Sequence, residues 1–285
     1  RVRDKMHQLD LTNTEDEYPS QLSGGMQKRV ALARALVTDP EIILFDEPTT
    51  GLDPIRKNAV HSMIADYQSK LGFTAIVVSH EIPDVFYISQ RIAMLNDGHI
   101  IFEGTPHEIQ RTKDDAIQQF IQGKESGHDS LTGMAPQIQG ELKFEEEMAR
   151  LQRHHIPFSL VLLTVNDMAD INARFGHITG QTLIQNFAIQ VQKNLYITDT
   201  SVRIGMNKIM VVLPDTDTGQ AEAFCDRLSK RLQENNLLDD VPHPDFCFQV
   251  NAGFVQVAKN SSLQDVIARA EDNQSIFFDF SVCQI

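Results

Sequence analysis

Two short stretches constrain the first third of this 285-residue chain more than anything else in it. In Leu22-Ser23-Gly24-Gly25-Met26-Gln27-Lys28-Arg29-Val30-Ala31-Leu32, a serine and two glycines precede a run suited to a helix. Such a turn exposes backbone N–H groups at a helix start, where the helix dipole favours a phosphate. Glycine also lets the backbone approach an anion closely. Ten residues on, Ile42-Ile43-Leu44-Phe45 is a continuous apolar run, and it ends in Asp46-Glu47-Pro48. That run predicts a parallel strand covered on both faces. An Asp-Glu pair after a strand is, taken alone, as readily a solvated turn as a site. Next to a helix start built for phosphate, it becomes a candidate site.

Together the two stretches resemble the signature motif and Walker B strand of the ATP-binding-cassette (ABC) ATPases. The resemblance implies that Asp46 holds Mg²⁺ through water and that Glu47 is the general base polarising the attacking water. It implies that Ser23, Gly24, Gly25 and Gln27 contact ATP held by a second ATPase subunit, so that two subunits close face to face. Further pieces follow in family order. Thr49-Thr50-Gly51-Leu52-Asp53 resembles the D-loop, which places Asp53 at the dimer interface among the nucleotide-binding residues. A helical stretch from Pro54 to Ser69 and an apolar strand from Thr74 to Val78 come next. Ser79-His80 follows, and His80 resembles the switch histidine that contacts the γ-phosphate. A lone histidine is more often structural, but a place directly after a second buried strand favours function. In Arg91–Ile100, Asp97-Gly98 between apolar runs predicts a hairpin.

The chain has no Gly-x-x-x-x-Gly-Lys-Ser/Thr loop to cradle phosphates; its one Gly-Lys pair is Gly123-Lys124, followed by Glu125. The Q-loop and the adenine-stacking aromatic of the family are missing too, and the chain begins with Arg1. Residues 1–122 are therefore expected to be the C-terminal part of an α/β P-loop NTPase within a longer protein. A short pseudo-ATPase with a non-hydrolysing, regulatory role is the alternative. Ala75–Val85 and the tail Asp115–Gly123 resemble the ATPase of Mla-type phospholipid transporters, which serve outer-membrane lipid asymmetry. The second choice is an importer ATPase for an amino acid or another small polar solute. The resemblance implies ATP and Mg²⁺ as cofactors, and transmembrane permease subunits and a lipid-binding component as partners. It places the protein peripherally at the cytoplasmic face of the inner membrane.

Composition removes other classes. The net charge is −14, with 12 basic against 18 acidic groups in residues 1–122 and 13 against 21 in the rest. Acidity spread this evenly, without a basic patch, argues against a nucleic-acid partner. Cys225, Cys247 and Cys283 show neither disulfide nor metal-ligand spacing. No apolar run approaches the length of a membrane span.

A polar, turn-prone stretch at 123–130 predicts a linker. Beyond it, Asp129-Ser130-Leu131-Thr132-Gly133-Met134 resembles the opening of a GGDEF domain, the diguanylate cyclase fold, and the resemblance continues through 131–285. Phe158–Leu163 matches its first core strand, Asp170-Ile171-Asn172 and Gly176–Gly180 the following helical region, and Val202–Pro214 the central hairpin. An α+β domain with a central, mostly antiparallel sheet is expected. Leu183, Phe187, Val191 and Leu195 recur at helical spacing and predict a core stripe. The residues that carry the family's chemistry are replaced. The name-giving motif reads Gly205-Met206-Asn207-Lys208-Ile209, and the metal aspartate expected after the first strand is Thr164. Divalent ions need carboxylate oxygens, and here a hydroxyl and an ammonium stand in their places. The inhibitory-site Arg-x-x-Asp reads Tyr196-Ile197-Thr198-Asp199. A degenerate, catalytically inactive domain with a regulatory or interaction role is expected. Asn172 stands where active cyclases contact the base, and a residual turn or cap residue is its plainer reading.

Overall fold

Local chemistry sets where the elements begin. The computed structural model describes residues 1–11, 13–82, 84–112, 114, 117, 118, 121, 128–234 and 247–281. Most of the tail 115–123, Pro83, linker residues 123–127 and Cys283 lie outside that set. After α1 (Val2–Gln8), the Ser23 hydroxyl accepts the Met26 N–H at 3.3 Å and opens α2 (Gly24–Leu36). Asp53 caps α3 (Pro54–Leu71) in the same way, accepting the Arg56 N–H at 3.0 Å with Pro54 in the first turn. Gly72 ends that helix at a φ of 74°, a left-handed conformation that costs glycine little.

Strands β1 (Ile42–Asp46) and β2 (Thr74–Val78) pair in parallel, from Ile42 opposite Thr74 to Asp46 opposite Val78. Ile43 packs with Leu32, Leu36, Met63, Tyr67 and Phe73. The expectation of a strand covered on both faces is not met. Ile42, Leu44, Ile76 and Val78 are exposed, Leu44 at 72 %, because the helices among the described residues cover only one face of this two-stranded sheet. A hairpin follows, β3 (Ile92–Asn96) and β4 (His99–Gly104). Its turn is Asp97-Gly98, at φ 46° and 78°, the double left-handed geometry that matches strand twist. Thr105 and Glu108 form a reciprocal capping box on α4 (Pro106–Arg111).

The second part is built around one sheet. Its elements are α5 (Gln137–His154), β5 (Phe158–Val165), α6 (Met168–Phe175), α7 (His177–Lys193), β6 (Thr200–Arg203), β7 (Lys208–Pro214), α8 (Thr218–Glu234), β8 (Cys247–Gln256), α9 (Leu263–Asp272) and β9 (Ser275–Ser281). Strand order is β6-β7-β5-β8-β9, with every neighbour antiparallel. Central β5 is buried along its whole length. Val161, Leu163 and Val165 share one core with Ile171, Phe187, Val191 and Phe224. Phe158, Leu160 and Leu162 share the other with Phe144, Met148 and Val266. Each such side chain contributes about 1.5–3 kcal/mol by leaving water. Gly253 is required by close approach: a Cβ there would lie 1.8 Å from the Ala270 carbonyl oxygen of α9. The expected stripe is present, with Leu183, Phe187 and Val191 in the core and Leu195 at its edge.

Asp129, within the stretch expected to be linker, is hydrogen-bonded to the start of the second part. The Thr132 N–H donates to the Asp129 carboxylate at 2.7 Å, and the Asp129 N–H donates to the Met134 carbonyl at 2.8 Å. The two parts of the chain are in contact, with α3 packed along α7 and Ile55 reaching the second core. Among the described residues no helix is long and apolar enough to cross a membrane.

Candidate functional site

Parallel pairing of β1 and β2 brings their C-terminal ends together, and the residues that follow each strand meet there. The Glu47 N–H donates to the Val78 carbonyl at 2.9 Å, which extends the pairing past Asp46. Glu47 takes a φ of 44°, a left-handed backbone that non-glycine residues adopt at a cost and that turns its side chain toward His80. His80 Nδ1 lies 2.7 Å from Glu47 Oε1, and the Thr50 hydroxyl donates to Glu47 Oε2 at 3.1 Å. The His80 hydrogen bond holds the Glu47 carboxyl below the usual carboxylate range, against a weaker upward push from burial and with help from Thr50. An ionised carboxylate facing solvent beside an imidazole can accept a proton from water.

Asp46 ends β1 exposed to solvent. Among the described residues no group of three His, Cys, Asp or Glu side chains gathers to hold a metal. The exposed Asp46 carboxylate offers oxygens of the kind a hard cation such as Mg²⁺ takes. Mg²⁺ bound in that way would neutralise developing phosphate charge.

The phosphate-suited turn stands on its own supports. Around Gly24 and Gly25 there is open space where a Cβ would be. Gln27 Nε2 donates to the carbonyls of Pro19 at 2.9 Å and Leu22 at 3.1 Å. Gln27 thus shapes the loop ahead of Ser23. Lys28 Nζ donates to the Pro48 carbonyl at 3.1 Å, joining α2 to the turn that follows Glu47. The structure brings Glu47 and His80 into direct contact. Ser23, Gly24 and Gly25 sit at the α2 start, and Asp53 serves as the α3 cap.

In the second part, the positions where the family resemblance implies metal ligands are engaged in other bonds. Lys208 Nζ pairs with Glu271 Oε1 at 2.5 Å, and Gln274 Nε2 donates to the Thr164 hydroxyl at 2.8 Å. Asn207 Nδ2 donates to the Val165 carbonyl at 2.8 Å. This set, a cation and two neutral groups, does not fit divalent metal ions. Asn172 is neither a turn nor a cap residue. Its Nδ2 donates across the domain contact to Ser62 Oγ and Asp66 Oδ2, each at 3.0 Å. Gly180 makes that possible, since a Cβ there would come 2.3 Å from Asn172 Oδ1.

Sequence reasoning missed a set of polar residues at this contact: Lys57, Asn58, Asp84, Tyr87, Asp129 and Arg203. Arg203 carried the available signal, a charge between the apolar Val202 and Ile204.

Both parts of the chain resemble known proteins. The ABC transporter family model matches residues 1–50. Methionine import ATP-binding protein MetN of Streptococcus thermophilus is 37% identical over 132 residues, 46% of this chain and 37% of that protein. Intermembrane phospholipid transport system ATP-binding protein MlaF of Escherichia coli is 38% identical over 123 residues, 43% of this chain and 46% of that protein. The chain spans less than half the length of these relatives. Among solved structures, the GGDEF domain of DgcB from Caulobacter crescentus is similar over 52% of this chain and 87% of that one, with 17% identity and a TM-score of 0.48. The model of the diguanylate cyclase GGDEF domain matches residues 126–275, more than half of the chain, which therefore belongs to the GGDEF family and carries an ABC ATPase region ahead of that domain.

Proposed function

We propose that this chain forms part of the ATP-hydrolysing subunit of an ABC transporter, and that its GGDEF domain is catalytically silent and regulatory. The observation that carries the reading is the Glu47–His80 contact at the adjoining ends of two parallel strands. On this reading Glu47 is the general base, His80 the γ-phosphate sensor and Asp46 the outer ligand of Mg²⁺. Ser23, Gly24, Gly25, Gln27 and Asp53 face ATP held by a second subunit. Residues 1–122 form the ATPase region, 123–130 the junction and 131–285 the GGDEF domain. The cargo is phospholipid. Permease subunits and a lipid-binding component hold the protein at the cytoplasmic face of the inner membrane.

Silence of the second domain is supported by the Lys208–Glu271 and Thr164–Gln274 pairs, which engage the positions a metal would need. The similarity to MetN favours one specific second reading, an amino-acid importer. Both are tested on the full-length protein with its permease in vesicles. Glu47→Gln should lower steady-state ATP turnover by about 10²–10⁴-fold while ATP still binds; unimpaired turnover would remove Glu47 as the base. Stimulation of the wild-type ATPase by phospholipid favours the first cargo, and stimulation by methionine alone favours the second.

A further inference from the structure

The contact between the two parts contains a chain of polar groups that leads from the GGDEF domain to the ATPase site. Arg203, at the end of β6, is 1% exposed. Its Nη1 donates to Asn58 Oδ1 on α3 at 3.1 Å and lies 3.7 Å from the Asp129 carboxylate. Its guanidinium sits over the Tyr87 ring, 4.7 Å from the centroid. The Tyr87 hydroxyl donates to Asp129 Oδ2 at 2.9 Å, and the Ser130 hydroxyl donates to Asp84 Oδ2 at 2.8 Å. Asn58 adjoins Lys57, whose ammonium pairs with Glu81 at 3.1 Å and lies 3.9 Å from Asp84. Glu81 in turn accepts the Thr49 hydroxyl. Glu81 is the residue after His80, and Thr49 is two residues after Glu47.

Thr49, Asn58, Asp84, Asp129 and Arg203 are all buried. Charges taken out of water are tolerated only when their partners stay in place, so removal of one partner strands the others. A satisfied network of this kind fixes geometry more than it adds stability. Both segments that deliver the Glu47–His80 pair are held by it, the turn after β1 through Thr49 and the turn after β2 through Glu81 and Asp84.

We propose that Arg203 is a positioning residue for ATP hydrolysis. Through Asn58, Tyr87 and Asp129 it fixes α3 and residues 84–87, and these set how His80 meets Glu47. The GGDEF domain therefore tunes the ATPase by how firmly it grips α3, without a cyclic dinucleotide product. This deepens the reading of Glu47 and His80 given above and rests on it.

The experiment measures kcat and KM for ATP in the full-length protein. The variants are Arg203→Lys, Ser130→Ala, Glu271→Gln and, as reference, Glu47→Gln. Lysine keeps the charge of Arg203 but loses the planar fork that reaches Asn58 and stacks on Tyr87. Ser130→Ala removes one hydroxyl and keeps the fold if Arg203→Lys does not. Both should lower kcat about 5- to 20-fold, with KM for ATP within about twofold. Glu271→Gln, which breaks only the remote pair with Lys208, should match wild type. Wild-type kcat in folded Arg203→Lys and Ser130→Ala, with Glu47→Gln inactive, overturns the proposal and leaves the site reading intact. An equal loss in Glu271→Gln overturns it as well, because general loosening of the domain then explains the effect. Full activity in Glu47→Gln removes the site itself, and the proposal falls with it.

Discussion

Strands β1 and β5 are both runs of apolar residues, yet they stand in opposite circumstances. β5 is buried along its length between two helical layers. β1 has one covered face and one open face, with Ile42 and Leu44 in solvent. The chemistry divides the other way. The residues after β1 and β2 bring a carboxylate and an imidazole to 2.7 Å. The positions at the end of β5 and in its neighbouring hairpin have a threonine and a lysine tied to Gln274 and Glu271. One region carries a close carboxylate–imidazole pair on a thin scaffold, and the other carries a full scaffold with a threonine and a lysine at the corresponding strand ends. Packing and chemistry are thus separable: β5 and its neighbours pack fully with a threonine and a lysine at these positions.

The largest test of this contrast is a pair of core substitutions. Phe187→Ala, at a fully buried position of the second core, should cost about 3–5 kcal/mol through the cavity it leaves. Leu44→Ser on the open face of β1 should stay within about 0.5 kcal/mol. Urea denaturation of this chain, followed by fluorescence and circular dichroism, reads both. A loss for Leu44→Ser as large as that for Phe187→Ala would mean that the β1 face is covered in solution, and the contrast would fail.

How far the sequence could be read divides along the same line. The Asp97-Gly98 hairpin, the α3 helix and the Leu183–Phe187–Val191 stripe were legible because turn chemistry and periodicity are local. The family resemblance singled out Glu47 and His80 one by one, but their meeting was not legible, since the pairing joins residues 33 apart. The open face of β1 was not legible, because an apolar run states what a strand can pack against and not what is present to cover it. The role of Asn172 was missed for a related reason. Its partners, Ser62 and Asp66, lie on α3 more than a hundred residues earlier, and no local pattern marks a side chain whose partner sits on another domain.

The contact between the regions should itself respond to pH. His61 on α3 is buried with neither ring nitrogen hydrogen-bonded among the described residues. Burial, with the nearby Lys57 and Arg203 charges and against Glu81, pushes its pKa down to about 4. His177, 3.7 Å from Asp66, is likewise pushed to about 4, by burial and then Arg29, against Asp10. Released into water, each titrates near the ordinary value of about 6.5. Above that pH both are neutral in either state and contribute nothing. As pH falls from about 6.5 toward 4, the released state takes up protons that the docked state refuses, so docking weakens by up to about 3 kcal/mol per histidine. Asp66 and Asp84, whose carboxyls burial raises, oppose this. Protection factors for hydrogen exchange across α3, corrected for the pH dependence of intrinsic exchange, should fall between pH 7 and 4.5 in wild type and less so in His61→Leu. Identical profiles for the two would exclude His61 as a source of the effect.

The smallest effect gives the finest comparison, because it places the same chemistry in both regions. Asp53 caps α3 by accepting the Arg56 N–H at 3.0 Å, and Ser262 caps α9 by accepting the Asp265 N–H at 3.1 Å. Removing either cap with alanine should cost about 1 kcal/mol of stability. Capping alone predicts that Asp53→Ala and Ser262→Ala are alike in every assay. The assignment of Asp53 to a face closed by a second subunit predicts that they part in one assay only, ATP-dependent self-association of the full-length protein. Asp53→Ala should weaken that association several-fold while Ser262→Ala leaves it unchanged. Equal association in the two variants would reduce Asp53 to a helix cap, and the ATPase region would lose one of the residues that set it apart from the region behind it.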